Sequence, residues 1–407
     1  MRYYLILLLA EGFISFTTQE IWDRELLAIF YIVLNVIFFI LYFYKKSDDK
    51  ALFMILVAGL LLRMAALYYD RTVSWIPFNT TDAQRFHELS VETANALPNT
   101  LLEHFTGFYS QVLGVIYYIF GPYQFWGHFL NISFVMLAAT KLLDIADLMN
   151  LTLINKKLMT FIWLFAPIPF LMGYALLREG SIYYFVVLSI YYFLKWTKDY
   201  RLFNMVMAIL AVLIGTKYHE GIIAIAVPYL YAFIFYDRQK KKIKINGLNI
   251  LCLATAFIVF LAFIGSEAGQ EYIQKTNAET GGGSSYLTNL KVETPLDFLF
   301  AGPIKAVFLV YSPMPWLIRN GMDMITLLLD SSLWIYTTYL VIKNYKTIDS
   351  RYKLLILCIM LGGFVYGMGT LNTGTAIRHR NKLMAFTLVL MMAIKNKTDL
   401  EKGETIQ

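Results

Sequence analysis

The sequence predicts an all-α, polytopic membrane protein, and three observations carry that reading. Of 407 residues, 58% are apolar and 15% charged, against about 45–50% and about 25% in soluble domains. The apolar residues recur along the whole chain in runs of about 16–22, the length a helix needs to cross a bilayer. Aromatic residues reach 16%, with 29 Tyr and 31 Phe, which suits lipid-facing surfaces and interfacial belts. A soluble enzyme, a disordered scaffold and a secreted disulfide framework are all excluded by this pattern. Cys252 and Cys358 lie inside apolar runs and define neither a disulfide nor a metal framework.

In chain order the spans are read at 3–16, 26–44, 51–69, 125–143, 158–177, 181–196, 203–216, 221–236, 248–265, 322–342, 354–371 and 383–394. The first has no small-residue cleavage site after Phe16 and is expected to be retained. Two more apolar pieces, 108–120 and 298–316, are short or broken by Gly and Pro, and read as interfacial or re-entrant. Lys and Arg total 35 against 28 Asp and Glu. In a membrane protein such an excess marks cytoplasmic loops and gives no ground for nucleic-acid binding. The clearest basic cluster is Arg238, Lys240, Lys241, Lys242 and Lys244. Counting crossings outward from it puts Lys45/Lys46/Lys50, Lys156/Lys157, Lys195/Lys198/Arg201 and Lys343/Lys346/Arg351/Lys353 on the same side. That agreement holds for about 12 crossings with both termini in the cytoplasm.

Residues 1–394 are thus expected to form one polytopic domain with outer loops at 70–107 and 266–295. Residues 395–407 are expected to be a polar, disordered cytoplasmic tail. No internal repeat is evident, which counts against transporter folds built from duplicated halves. The 266–295 loop, with Gly281-Gly282-Gly283-Ser284-Ser285 at its centre, reads as long, polar and flexible. It is either a lid that orders on substrate or a plain connector.

The outer turns hold the most informative polar residues. The first loop carries Asp82, Arg85, His87 and Glu88. The turn after Leu177 carries Arg178 and Glu179, the next Lys217, His219 and Glu220, and the last Arg378, His379, Arg380 and Lys382. Outer loops should be poor in basic residues, yet these short turns carry them in pairs and triplets. Taken singly, each has a plain explanation. Arg178 could snorkel to headgroups, and the Arg378–Lys382 group could anchor a terminus. Lys217-Tyr218-His219-Glu220 could satisfy itself, and Asp82 could cap a helix over the following polar run. Glu11, Arg63, Lys305 and Asp330 could pair within the membrane.

All four turns lie on one side, and that favours a common purpose. Arg178, Lys217, His219, Arg378 and Arg380 are expected to hold a phosphorylated ligand, because guanidinium grips phosphate bidentately and Lys adds a point charge. A phosphate reached from the outer face, beside hydrophobic spans, suggests a lipid-linked phosphate. Asp82 is then the carboxylate placed to act as base toward an acceptor hydroxyl, with Arg85, His87, Glu179 and Glu220 as substrate contacts. No two outer histidines stand at ligand spacing on one helix, so no metal site is indicated. No cofactor is required, and no P-loop, dinucleotide fingerprint or nucleophile elbow is present.

An N-terminal span region, a large outer loop with an early Asp, and many spans with short loops together resemble the GT-C superfamily of integral-membrane glycosyltransferases. Asp82-Ala83-Gln84-Arg85-Phe86-His87 is similar to the acidic motif of that family's first outer loop. Tyr109 through Phe120-Gly121, then Leu130-Asn131, resembles its loop helix ending in Phe-Gly. Ala166-Pro167 leading to Leu177-Arg178-Glu179 resembles its Pro-then-Arg outer turn. Arg378-His379-Arg380-Asn381-Lys382 resembles the terminal Arg-x-Arg of bacterial members. The chain departs from the family in placing two spans before the acidic loop's entry helix and in lacking a large soluble C-terminal domain.

The resemblance implies a GT-C-like fold and an inverting transferase of the cell envelope. The donor would be a sugar on polyprenyl phosphate and the acceptor a glycan or lipid-linked hydroxyl. Asp82 would be the base, and the outer basic residues would hold the departing phosphate. Two other functions fit the same features. One is a polysaccharide polymerase or ligase, whose Arg-x10-Gly spacing is matched only by Arg351 and Gly362, on the cytoplasmic side by charge. The other is a flippase or transporter, for which the intramembrane charges are few.

Overall fold

Helices make up nearly all of the backbone described in the computed structural model. It describes residues 2–18, 23–74, 76–77, 81–97, 99–100, 107–237, 239–243, 284–290, 292 and 294–401, with isolated residues from 247 to 274. In chain order the helices begin with α1 (Arg2–Thr17), α2 (Arg24–Lys46), α3 (Lys50–Thr72), α4 (Thr81–Ala96) and α5 (Phe108–Phe120). They continue with α6 (Gln124–Leu148), α7 (Leu153–Phe165), α8 (Pro167–Tyr174), α9 (Glu179–Asp199), α10 (Leu202–Tyr218) and α11 (Ala226–Phe235). The last are α12 (Pro295–Tyr311), α13 (Gly321–Asn344), α14 (Ser350–Met368), α15 (Thr373–Asn381) and α16 (Met384–Glu401). A two-residue hairpin, β1 (Tyr236–Asp237) against β2 (Lys242–Ile243), presents Lys240, Lys241 and Lys242 of the basic cluster to solvent.

Among the described residues, α2, α3, α6, α13 and α14 are long and apolar enough to cross a membrane. The pair α7 and α8, bent by 57°, adds a sixth if it forms one span. Pro167 causes that bend: it has no N–H to donate and disfavours a helical Ala166. Other apolar runs form shorter helices, α1, α5, α10 and the segment Glu220–Phe235, while most of 248–265 lies outside the described residues. On α2 and α3, Leu26, Phe30, Leu41, Tyr44, Leu61 and Tyr68 are exposed, as a lipid-facing surface requires. These features are those of a membrane protein.

The chain divides into two compact units. The first comprises 1–143, 156–165 and 169–185. Its helix starts follow from local chemistry. Asp23 caps α2 by accepting from Glu25 N and Leu26 N, and Asp49 caps α3 by accepting from Leu52 N at 2.9 Å. Lys157 also reaches the Asp49 carboxylate, at 3.0 Å. The expected interfacial piece is α5, ended on both sides by glycines at positive φ, Gly107 at 83° and Gly121 at 95°. Other residues rarely adopt that conformation. Helix α4 lies close on α5 because Gly114 has no side chain; a Cβ there would stand 2.6 Å from Thr93.

His87 joins the same two helices, with its Nδ1 2.9 Å from Tyr117 Oη. Burial holds its pKa below the ordinary 6.5, and Arg71 adds to the shift while Glu88 opposes it. The unfolded chain therefore binds the proton first. The contact's contribution is complete above pH about 6.5 and is lost as the pH falls below it. Hydrogen exchange at α4 amides should accelerate relative to α2 between pH 7.5 and 5, and the difference should disappear in His87→Gln. Equal pH dependence in the two helices would refute this.

The second unit comprises 144–155, 166–168 and 186–407. A reciprocal capping box of Thr294 and Asp297 starts α12, and α12 packs on α14 through Gly367, where a Cβ would fall 2.8 Å from Ala306 N. Phe298, Ala301 and Met368 form a core there with Ile273 and Val292 of the preceding segment. Helix α13 contains a π-helical turn, Thr326–Ser331. Such turns insert a residue and re-aim side chains, here Asp330 and Ser331.

Two sequence expectations change. Residues 395–401 of the expected tail are helical, since α16 runs unbroken to Glu401, and residues 402–407 lie outside the described residues. Lys395 pairs with Asp399 at 2.9 Å, and buried Asn396 accepts from Thr152 N at 2.9 Å and from Asn155. Residues 284–290 of the 266–295 loop are docked rather than free. Tyr286 N donates to Leu371 O at 2.8 Å and Thr373 N to Ser284 O at 3.0 Å, and the Tyr286 ring is buried against Phe308. Gly281, Gly282 and Gly283, the centre of the expected lid, lie outside the described residues.

Candidate functional site

In the first unit the acidic motif forms the start of α4. Asp82 is exposed in the first turn, where the free backbone amides of a helix start favour a carboxylate. Arg85 is exposed one turn on, and His87 is half-buried against Tyr117. Arg178 is half-buried, its guanidinium carbon 6.0 Å from the centre of the Phe86 ring on α4. Arg178 and Asp82 therefore attend the same helix. Glu179 is fully buried in the first turn of α9. The turn that carries both is held by Asn131, whose Nδ2 donates to Ala175 O at 2.6 Å, to Leu177 O and to Tyr109 Oη at 3.2 Å. Gly180 permits this, because a Cβ there would stand 2.8 Å from Asn131 Cα.

The sequence reading missed a second cluster in this unit. Asp70, in the last turn of α3, accepts from Ile76 N at 2.8 Å and from Tyr174 Oη at 3.2 Å. Its other oxygen lies 3.9 Å from His128 Nε2, and His128 Nδ1 meets Tyr174 O at 3.0 Å. Donation from Nδ1 to that carbonyl turns Nε2 toward the carboxylate, an arrangement that is attractive only when the two groups share a proton. The cluster ties the entry of the 70–107 loop to α6 and α8.

In the second unit the structure brings two of the predicted turns together. His219 follows α10 and His379 lies on α15; their ring centroids are 5.0 Å apart, edge-on at 79°. Tyr366 of α14 flanks both, at 5.2 Å and 5.1 Å. Gly221 allows that approach, since a Cβ there would stand 2.5 Å from the Tyr366 ring. Lys382, buried, lies over the Tyr366 ring, 5.2 Å from its centre. Arg378 is half-buried on α15, while Lys217 and Glu220 are exposed on either side of His219. Cations, imidazoles and an aromatic wall thus gather where α10, α14 and α15 meet. Such a group suits an anion with an apolar attachment. Of its members, His379, Tyr366 and Lys382 were not singled out as site residues. The signal available for two of them was their place in the Arg378–Lys382 motif.

Arg380 behaves differently from Arg378. It is fully buried. Its Nη1 donates to Val310 O at 3.2 Å, Ser331 Oγ at 2.9 Å and Ser312 O. Burial lowers its pKa to about 10, opposed by Asp330 and Tyr286. Arg380 thereby pins α15 to the end of α12 and to the π-helical turn of α13.

Among the described residues, no three His, Cys, Asp or Glu side chains stand together as a metal site would need. Comparison of the chain with protein-family models, curated proteins and solved structures finds no match.

Proposed function

We propose that this chain is an inverting membrane glycosyltransferase of the GT-C type. It moves a sugar from a polyprenyl-phosphate donor to an acceptor hydroxyl at the outer face of the cell membrane, in the assembly of a surface polysaccharide or glycoconjugate. The observation that carries this reading is the meeting of the His219 turn with the Arg378–Lys382 turn. Sequence charge assigned both to one face, and together they form a cationic, aromatic group suited to a lipid phosphate. The reading includes about 12 crossings and cytoplasmic termini, the arrangement that puts these turns outside.

The acceptor oxygen attacks the anomeric carbon, Asp82 takes its proton, and the bond from that carbon to the phosphate oxygen breaks with its electron pair going to phosphate. Lys217, His219 and Arg378 offset the charge that accumulates there. Arg85, His87, Glu179 and Glu220 are assigned to substrate contact.

Binding of a polyprenyl monophosphate to purified protein in detergent tests the reading. A charge-assisted contact is worth roughly 1.5–3 kcal/mol, so Arg378→Ala should weaken binding by about 10- to 150-fold. Arg378→Lys should restore only part, because a point charge cannot reproduce the fork. Arg178→Ala is measured in the same assay. Unchanged affinity in both alanine variants and in His219→Ala would remove the support for a phosphate site. So would cysteine labelling that placed residues 217–221 and 378–382 in the cytoplasm.

A further inference from the structure

We infer that the turn between α13 and α14, together with the β1–β2 hairpin, binds the headgroup of an anionic phospholipid. The surface is set by two spans and two loops and does not depend on the reaction proposed above. Helices α13 and α14 are both long and apolar enough to cross a membrane, so the turn that joins them lies at a membrane surface. On α13, Ile335, Tyr339 and Ile342 are exposed at positions i, i+4 and i+7, a lipid-facing stripe. That stripe runs up to exposed Lys343, whose Nζ lies 3.4 Å from Tyr339 Oη. Lys346 follows, exposed, and Lys353 of α14 reaches back over the Tyr345 ring, 4.6 Å from its centre. Tyrosine at the edge of an apolar stripe, with lysines just beyond it, is the pattern of a headgroup layer.

The hairpin belongs to the same surface. Strand β2 packs on α14, and Tyr236 of β1 stands near Asp349 and Arg351 at the start of that helix. Tyr236 also meets the rings of Trp196 and Tyr200, at 6.0 Å and 6.4 Å. This anchoring sets Lys240, Lys241 and Lys242, all exposed, beside the α13–α14 turn. The ion pairs of this neighbourhood involve other residues: Arg351 with Asp349 at 3.3 Å, Lys395 with Asp399 at 2.9 Å and Lys397 with Glu401 at 3.8 Å. Among the described residues, no carboxylate pairs with any of the six lysines. Orientation in a membrane requires only positive charge within each loop. Here two loops distant in the chain bring theirs to one place, where like charges repel. Anionic headgroups relieve that repulsion, each lysine near the surface contributing about fivefold in affinity. On the proposed topology the headgroups belong to the cytoplasmic leaflet. Lys353 and Tyr366 stand about 20 Å apart along α14, so this surface is separate from the group around Tyr366.

The test uses full-length protein in a neutral detergent and two fluorescent probes, a phosphatidylglycerol and a phosphatidylcholine of the same chains. The phosphatidylglycerol should bind more tightly. Raising salt from about 50 mM to about 500 mM, which shortens the Debye length to about 4 Å, should remove most of the difference. Lys343→Gln/Lys346→Gln should weaken phosphatidylglycerol binding by about 30-fold and leave phosphatidylcholine binding unchanged. Lys240→Gln/Lys241→Gln/Lys242→Gln should weaken it at least as much. These are surface changes, and equal thermal unfolding of the variants checks that the fold is kept. Lys45→Gln/Lys50→Gln removes the same charge from the α2–α3 turn, where Asp48 and Asp49 stand among the lysines. It should cost no more than about twofold. Equal affinity for the two lipids, or unchanged phosphatidylglycerol affinity in either lysine variant of the surface, overturns the inference. An equal loss in Lys45→Gln/Lys50→Gln also overturns it, because affinity would then follow net charge and not place. Competition by glycerol phosphate or by a hexaglutamate peptide as effective as the lipid would overturn the assignment to a phospholipid, in favour of a free anion or an acidic protein.

Discussion

Asp82→Asn is expected to lower sugar transfer by about 10²–10⁴-fold with no change in thermal unfolding or in lipid-phosphate affinity. Asn retains the shape of the side chain and gives up only the carboxylate's attraction to the free amides of an exposed first turn, about 0.3–1 kcal/mol, so α4 should still form. What is lost is the capacity to take the acceptor proton as its oxygen attacks. The exposed position of Asp82 in the first turn of α4 suits a base that must reach an incoming hydroxyl. The rival carboxylate is Asp70. Both of its oxygens face groups of the protein, Ile76 N and Tyr174 Oη on one side and His128 on the other. Asp70→Asn should therefore lower stability and activity together, because it unties the entry to the 70–107 loop. The pair of variants separates the roles. Full transfer by Asp82→Asn, with transfer abolished and folding intact in Asp70→Asn, would move the base to Asp70.

The elements that could be read from the sequence are those fixed by short-range chemistry. The glycines at 107 and 121 bound the apolar piece that becomes α5, and Pro167 divides the run that becomes α7 and α8. Thr81–Asp82 ahead of a polar, helix-compatible stretch gave the start of α4. The end of the chain was legible too and was passed over. Lys395 and Asp399, like Lys397 and Glu401, stand four apart and pair along one helix face, a pattern that stabilises helices.

The rest depended on contacts between distant residues. Tyr174 lies 104 residues from Asp70 and 46 from His128, and no local pattern joins them. His379 meets the hydroxyl of Thr370, nine positions earlier, and the ring of His219, 160 positions earlier. The different surroundings of Arg378 and Arg380 were also out of reach. Residues two apart on a helix point about 200° from one another, so one of the two had to turn inward, and composition cannot say which. Gly281–Gly283 and most of 248–265 lie outside the described residues, and the expectations for them stand as they were.

Arg380 is expected to matter for folding rather than for phosphate binding alone, and the size of the effect follows from what it leaves behind. In Arg380→Met the volume is roughly kept, but Val310 O and Ser331 Oγ lose the guanidinium donor, Ser312 O keeps only the Ser331 hydroxyl, and Asp330, 1% exposed, loses its nearby cation. Removing one partner from a buried charged group costs about 3–5 kcal/mol, most of it from the uncompensated charge that remains. Thermal unfolding in detergent should therefore fall well below wild type in Arg380→Met. Arg378→Ala, on the half-buried face, should unfold within a degree or two of wild type. Because the cost arises from Asp330, neutralising that residue should recover part of it. The double variant Arg380→Met/Asp330→Asn should be more stable than Arg380→Met alone, a non-additivity expected only of groups that interact. If Arg380→Met unfolded with wild-type stability and lost lipid-phosphate affinity as steeply as Arg378→Ala, both arginines would belong to the phosphate site. Attachment of α15 to the π-helical turn would then need another cause.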